Sequence, residues 1–272
     1  ASEEEEILAL DFDGVLCDSA GELAESCLRG AEGLFSDGVS KATFPEKNSD
    51  ERSELLRKMI ILRPKIRTGY ELVLLARLLL PPPAGFERFP SLDELEKTWP
   101  NQREEWIQTL EISKDDLHDA LYRARDEWLE KDELSWHQSN RLYPGVADGF
   151  RMFPSRIRYI VTTKEAAFAV RILREAGIDE SMMPTERVFG LVPGVSKIDV
   201  LKRLLKTHGG AKIVFVEDFV TALEDASIVL LGSHIRYCLA TWGYNTDKDR
   251  KKAELHPFIE LLDLPTFTTQ IL

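Results

Sequence analysis

Ile7-Leu8-Ala9-Leu10-Asp11-Phe12-Asp13-Gly14-Val15-Leu16 sets four aliphatic residues directly before two acids spaced one residue apart and a glycine. An aliphatic run of that length belongs in a core, and ionised carboxylates belong in water or beside a partner. The stretch therefore reads as a buried strand that breaks off into a charged edge. An ordinary strand end running into a polar turn gives the same local pattern, so the rest of the chain must decide between the two.

Short aliphatic runs recur at 159–161, 188–191, 213–216 and 236–240. Between them lie helix-like stretches. Residues 165–177 set Ala169, Ile172, Leu173 and Ala176 on one face and stop at Gly177, and 196–209 do the same with Ile198, Leu201, Leu204 and Leu205. Runs this continuous suit strands buried on both faces, and strand alternating with helix predicts a parallel sheet covered on both sides. The stretch Ala240-Thr241-Trp242-Gly243-Tyr244-Asn245 reads as a last strand and turn, without a site role.

From 18 to 143 the texture changes. Leu55, Met59 and Leu62 fall at helical spacing, and Tyr70-Glu71-Leu72-Val73-Leu74-Leu75 begins a second apolar helix halted by Pro81-Pro82-Pro83. A third stretch, 113–136, opens with Ser113 as an N-cap and repeats Leu117, Leu121 and Trp128. The triple proline reads as a stiff connector. No strand and no internal repeat is evident, so 18–143 reads as an all-helical insert, and 1–17 with 144–272 as one α/β domain. The opening Ala-Ser and four glutamates read as a solvated tail.

The 272 residues carry a net charge of −12, with 43% hydrophobic and 30% charged residues. That balance describes a globular chain and disfavours both a nucleic-acid groove and an anionic membrane surface as partner. No apolar run approaches the roughly 18 residues of a membrane span. Cys17, Cys27 and Cys238 form no CxxC pair, which fits a reducing, intracellular and by default cytoplasmic setting. The chain begins at Ala1, so a targeting peptide could precede it and an organelle stays open. The five histidines are scattered without metal-ligand spacing, which disfavours zinc.

In a parallel sheet the strand ends share one edge, the edge where α/β proteins bind ligands. Asp11 and Asp13, the hydroxyls of Thr162 and Thr163, Lys197 at a helix start and Glu217-Asp218 all fall there. In this order they resemble the motifs of the haloacid dehalogenase superfamily, in the subgroup that carries a helical cap after the first motif and includes phosphoglycolate phosphatases. The resemblance implies a Rossmann-like core over 1–17 and 144–272, with residues 18–143 as the cap.

It further implies a Mg²⁺-dependent phosphatase acting on a small phosphorylated metabolite through a phosphorylated Asp11. Asp13 would be the acid and base, and Lys197 the charge that ties phosphate to Asp11. Mg²⁺ would be held by Asp11, the Asp13 carbonyl and Asp218, with Glu217 assisting. Phe12, Gly14, Thr162 and Thr163 form the substrate-facing set. The family usually has another acid four or five residues after the first aspartate of its fourth motif; Ala222 and Leu223 stand there, with Glu224 one beyond. Ordinary readings also exist: Thr163 as the donor in place of Thr162, Asp218 as a helix N-cap, Glu217 as plain surface. Dehalogenation of a 2-haloacid, phosphosugar mutation and a non-catalytic binding module are the competing functions. Oligomeric state is open.

Overall fold

The computed structural model describes residues 6–272 apart from Val39, Pro100 and Gly210; the acidic tail expected at 1–5 lies outside the described residues. The chain enters through β1 (Glu6–Leu10) and the two-residue β2 (Cys17–Asp18). It then runs through α1 (Ala20–Leu34), α2 (Asp50–Ile61), α3 (Glu71–Leu78), α4 (Leu92–Thr98), α5 (Arg103–Thr109), α6 (Lys114–Lys131) and α7 (Glu133–Gln138). After β3 (Arg141–Leu142) come α8 (Val146–Met152), β4 (Ile157–Val161), α9 (Ala166–Glu175), β5 (Val188–Phe189) and α10 (Lys197–Thr207). Next come β6 (Lys212–Glu217), α11 (Val220–Val229), β7 (Ile235–Ala240), α12 (Asp247–Glu254) and β8 (Ile259–Leu262), and the chain closes in a short helical segment, Leu264–Thr266 and Phe267–Ile271.

Six strands form one sheet in the order β5-β4-β1-β6-β7-β8, and every neighbouring pair is parallel. This is the α/β architecture expected from the continuous apolar runs. β1 lies between β4 and β6, and Ile7 through Leu10 are each at most 1% exposed. The chain moves from β1 to β4 on one side and later returns to β6 on the other. Strand order thus reverses beside β1, and the crevice at such a switch point opens at the carboxyl ends of β1 and β6. One buried cluster joins Ile7, Ala9, Ile213, Phe215 and Leu239 of the sheet to Leu201 and Leu204 of α10 and Leu223 of α11. Each of the larger side chains among them, Ile, Leu or Phe, contributes on the order of 1.5–3 kcal/mol when fully buried.

The chain divides into two compact units, residues 1–18 with 141–272, and residues 19–140. These bounds move a few residues from those expected at 17 and 144. The reason is that Cys17–Asp18 and Arg141–Leu142 pair antiparallel, so both crossing strands belong to the sheet-bearing unit as a small ribbon. That ribbon corrects the reading of 18–143 as free of strands. β8 is a second correction: a strand follows the 240–245 turn, with Ile259 and Leu262 buried and the two residues between them exposed. Four residues are too few for a period to declare itself.

The helical unit has its own core, including Leu28 of α1, Met59 of α2, Leu75 of α3, and Leu117 and Leu121 of α6. Ser113 caps α6 as expected, in a reciprocal pair with Asp116. The stretch 113–136 nevertheless breaks into two helices at Asp132, whose side chain caps the Ser135 N–H. At the heart of the unit the Glu22 carboxylate, fully buried, accepts two hydrogen bonds from Arg125 at 2.7 and 3.0 Å. Ser26 Oγ and Trp136 Nε1 donate to the same carboxylate. Removing one partner of a buried pair strands the other charge in a poor solvent. Arg125→Met should therefore destabilise the full chain by about 3–5 kcal/mol in urea unfolding. A change below about 1 kcal/mol would mean the pair does not anchor this unit.

Candidate active site

β1 ends at Leu10, and the next residue still joins the ladder: the Asp11 N–H donates to the Val216 carbonyl at 2.9 Å. This fixes the Asp11 backbone against β6 while its side chain leaves the sheet edge. Beyond it the chain turns tightly, with the N–H groups of Leu16 and Cys17 each donating to the Phe12 carbonyl at 2.9 Å. Gly14 adopts φ +84°, and a Cβ there would stand 2.0 Å from Asp218 Oδ2. Only glycine admits both that backbone and that neighbour.

Asp11 is 6% exposed. Its Oδ1 accepts the Phe12 N–H at 2.8 Å, and its Oδ2 lies 2.9 Å from Lys197 Nζ. The same ammonium donates to Glu217 Oε2 at 2.6 Å. Lys197 is the first residue of α10, which Ser196 caps. A cation at a helix N-terminus opposes the helix dipole, and here two carboxylates compensate it. Burial, helped by Glu217, pushes the Asp11 carboxyl up to about 7, against the pull of Lys197. Burial also raises Glu217. Burial disfavours the Lys197 ammonium, but Asp11 and Glu217 outweigh it and hold the group charged.

Glu217 is 1% exposed, and its Oε1 accepts the N–H groups of Asp218 and Phe219, both at 3.1 Å. The plain-surface alternative for Glu217 is thus excluded. Asp218 is buried too; its Oδ2 accepts the Tyr244 N–H at 2.6 Å, and Phe219 takes the N-cap position of α11. The N-cap alternative for Asp218 falls with that. Carboxylate oxygens of Asp11, Glu217 and Asp218 lie within 4.8 Å of one another. Glu224 stands apart from this group in an ion pair with Lys252.

Asp13 Oδ1 lies 3.1 Å from Lys164 Nζ. Thr162 is buried, and its hydroxyl accepts the Lys164 N–H at 3.1 Å, whereas Thr163 is exposed. Phe12 requires a correction. Its side chain is fully buried in the core and cannot line a substrate site; only its backbone reaches the edge. Sequence reasoning missed Lys164 and the 240–245 turn. Besides the Tyr244 contact, Asn245 Nδ2 donates to the Asp218 carbonyl at 3.0 Å and Trp242 Nε1 to the Val15 carbonyl at 3.1 Å. The turn packs on both acidic loops, and only its three glycine and aromatic residues hinted at a special role.

The donor set can be tested against a metal ion. Asp11, Glu217 and Asp218 offer oxygen alone, which suits a hard divalent cation such as Mg²⁺ and not zinc. Four acids, Asp11, Asp13, Glu217 and Asp218, face two lysines, so a divalent ion would balance the site. The residues fit such an ion.

No family model and no curated protein matches this chain. Solved structures do. A haloacid dehalogenase-like family hydrolase from Streptococcus pneumoniae is 19% identical at a TM-score of 0.54, over 95% of this chain and 94% of that one. A predicted phosphoglycolate phosphatase from Haemophilus somnus is 17% identical at 0.53, over 91% and 90%. A predicted phosphatase from Clostridium acetobutylicum is 13% identical at 0.53, over 99% of both chains. From its first strand to its last, this chain has the fold of the haloacid dehalogenase-like hydrolases.

Proposed function

We propose that the chain is a Mg²⁺-dependent phosphatase that hydrolyses a small phosphorylated metabolite through an aspartyl-phosphate on Asp11. The observation that carries this reading is the half-buried Lys197 ammonium, which bridges Asp11 and Glu217 within the acidic cluster. Names of structural neighbours point the same way.

A phosphate monoester hydrolyses extremely slowly unaided, and a covalent intermediate divides the barrier. An Asp11 oxygen attacks phosphorus while the ester oxygen departs, and Asp13 gives that oxygen its proton. In the second half Asp13 takes a proton from water as the water oxygen attacks phosphorus, which frees Asp11. Two contacts keep Asp11 from rotating away, the Phe12 N–H on one oxygen and Lys197 on the other. Lys197 lies against the nucleophile and is placed to offset charge as the phosphoryl group approaches. Thr162, buried where Thr163 is exposed, is the better-placed hydroxyl for the phosphate oxygens. The carboxylates of Asp11, Glu217 and Asp218 and the Asp13 carbonyl would hold Mg²⁺, which supplies charge cancellation between nucleophile and phosphate. Glu217 replaces the acid missing at 222 and 223.

Asp11→Asn keeps the shape and removes the nucleophile, so phosphomonoester turnover should fall on the order of 10³-fold or more with the fold intact. Activity within tenfold of wild type would contradict a covalent route. EDTA should stop turnover, and Mg²⁺ should restore it where Ca²⁺ does not, because Ca²⁺ takes more ligands at longer distances. Full phosphomonoester turnover in EDTA would contradict the metal-dependent route.

A further inference from the structure

Lys164 belongs to no motif that assigned the other residues, yet its side chain is only 3% exposed, against 17% for the Asp13 carboxylate it meets. Its backbone is pinned at both ends. The N–H donates to Thr162 Oγ1 at 3.1 Å, and the carbonyl accepts the Leu191 N–H at 3.0 Å. Gly190 presses on the same loop: a Cβ there would come within 2.3 Å of the Ala166 nitrogen and 2.7 Å of the Lys164 carbonyl. A surface lysine keeps its rotamers, and ordering one carries an entropic cost. Backbone hydrogen bonds and a close loop approach fix Lys164 beside the Asp13 carboxylate.

We propose that Lys164 is a positioning residue for Asp13, holding its carboxylate at the angle from which the proton reaches the departing ester oxygen. The inference rests on the phosphatase reading above. Lys197 and Lys164 divide the work. Lys197 meets Asp11 and Glu217, and Lys164 meets Asp13. In the first half-reaction the bond from Asp11 to phosphorus forms, the bond from phosphorus to the ester oxygen breaks, and that oxygen takes the Asp13 proton. Lys164 neither gives nor receives a proton. It restricts Asp13 to the productive geometry, and its charge stabilises the carboxylate that the transfer leaves behind.

A leaving group that needs no proton distinguishes this role from a structural one. p-Nitrophenolate departs readily without protonation, whereas the alkoxide of glycerol phosphate does not. In the full chain with Mg²⁺, Lys164→Met should lower kcat/KM for glycerol phosphate about 30-fold or more, and for p-nitrophenyl phosphate less than about threefold. Lys164→Gln, which keeps a donor, should show the same split and serves where the Met variant does not fold. In an Asp13→Asn background, Lys164→Met should cost nothing further. Equal losses on both esters, or no loss on either, would overturn the proposal, because a lysine that binds the transferred phosphoryl group or merely supports the loop does not sense the leaving group. Asp13→Asn is the control for the underlying reading. If that variant shows no split, or the wild-type chain turns over neither ester, the phosphatase assignment itself fails.

Discussion

One half-buried ammonium sets the terms for the sheet edge. Lys197 sits at 2.9 Å from Asp11 and 2.6 Å from Glu217, and all three side chains are largely out of water. Burying any of these charges alone would be costly; together they are tolerated because each satisfies another. The arrangement is still short of positive charge. Burial and Glu217 leave Asp11 with a carboxyl that titrates near neutrality, and Asp218 lies close by. A stable protein has no need of such a grouping, since apolar residues of similar volume would pack there as well. Crowding carboxylates at a sheet edge makes sense where a cation and an anionic substrate complete the balance.

The fold delivers these groups from opposite ends of the chain, Asp11 near its start and Asp218 in its last quarter. β1 and β6 are hydrogen-bonded neighbours, so Asp11 and Glu217-Asp218 leave the sheet side by side. α10 begins where its first residue reaches across to both strand ends. The 240–245 turn then closes over the acids, with the Tyr244 N–H on Asp218 and Asn245 on its carbonyl. Gly14 permits Asp218 to approach the first loop. The helical unit enters between β2 and β3, where a two-residue ribbon carries the chain out and back without interrupting the sheet.

Much of this was legible in the sequence, for identifiable reasons. A strand buried on both faces writes an unbroken apolar run, so β1, β4, β6 and β7 announced themselves. The acids of the first loop were legible because two carboxylates beside such a run have no place in a core. β8 was not, since an edge strand of four residues with its middle exposed carries no period. The break at Asp132 was hidden because its flanking residues continue a helical pattern, and only the capping geometry reveals it. Phe12 lies between two site acids in sequence, but the turn sends its ring into the core. Lys164 and Glu217 look like ordinary surface charges until the sheet brings their partners to them. Contacts across the sheet, not local pattern, decide such residues.

The stereochemical course at phosphorus tests the covalent route through Asp11 most directly. A phosphomonoester made chiral at phosphorus by oxygen-isotope labelling is turned over by the full chain, and the configuration of the released phosphate is read. Each in-line displacement inverts phosphorus. Attack by Asp11 followed by attack by water therefore predicts net retention. Net inversion would mean that water displaces the leaving group in a single step, and that Asp11, however firmly Lys197 holds it, is not the nucleophile.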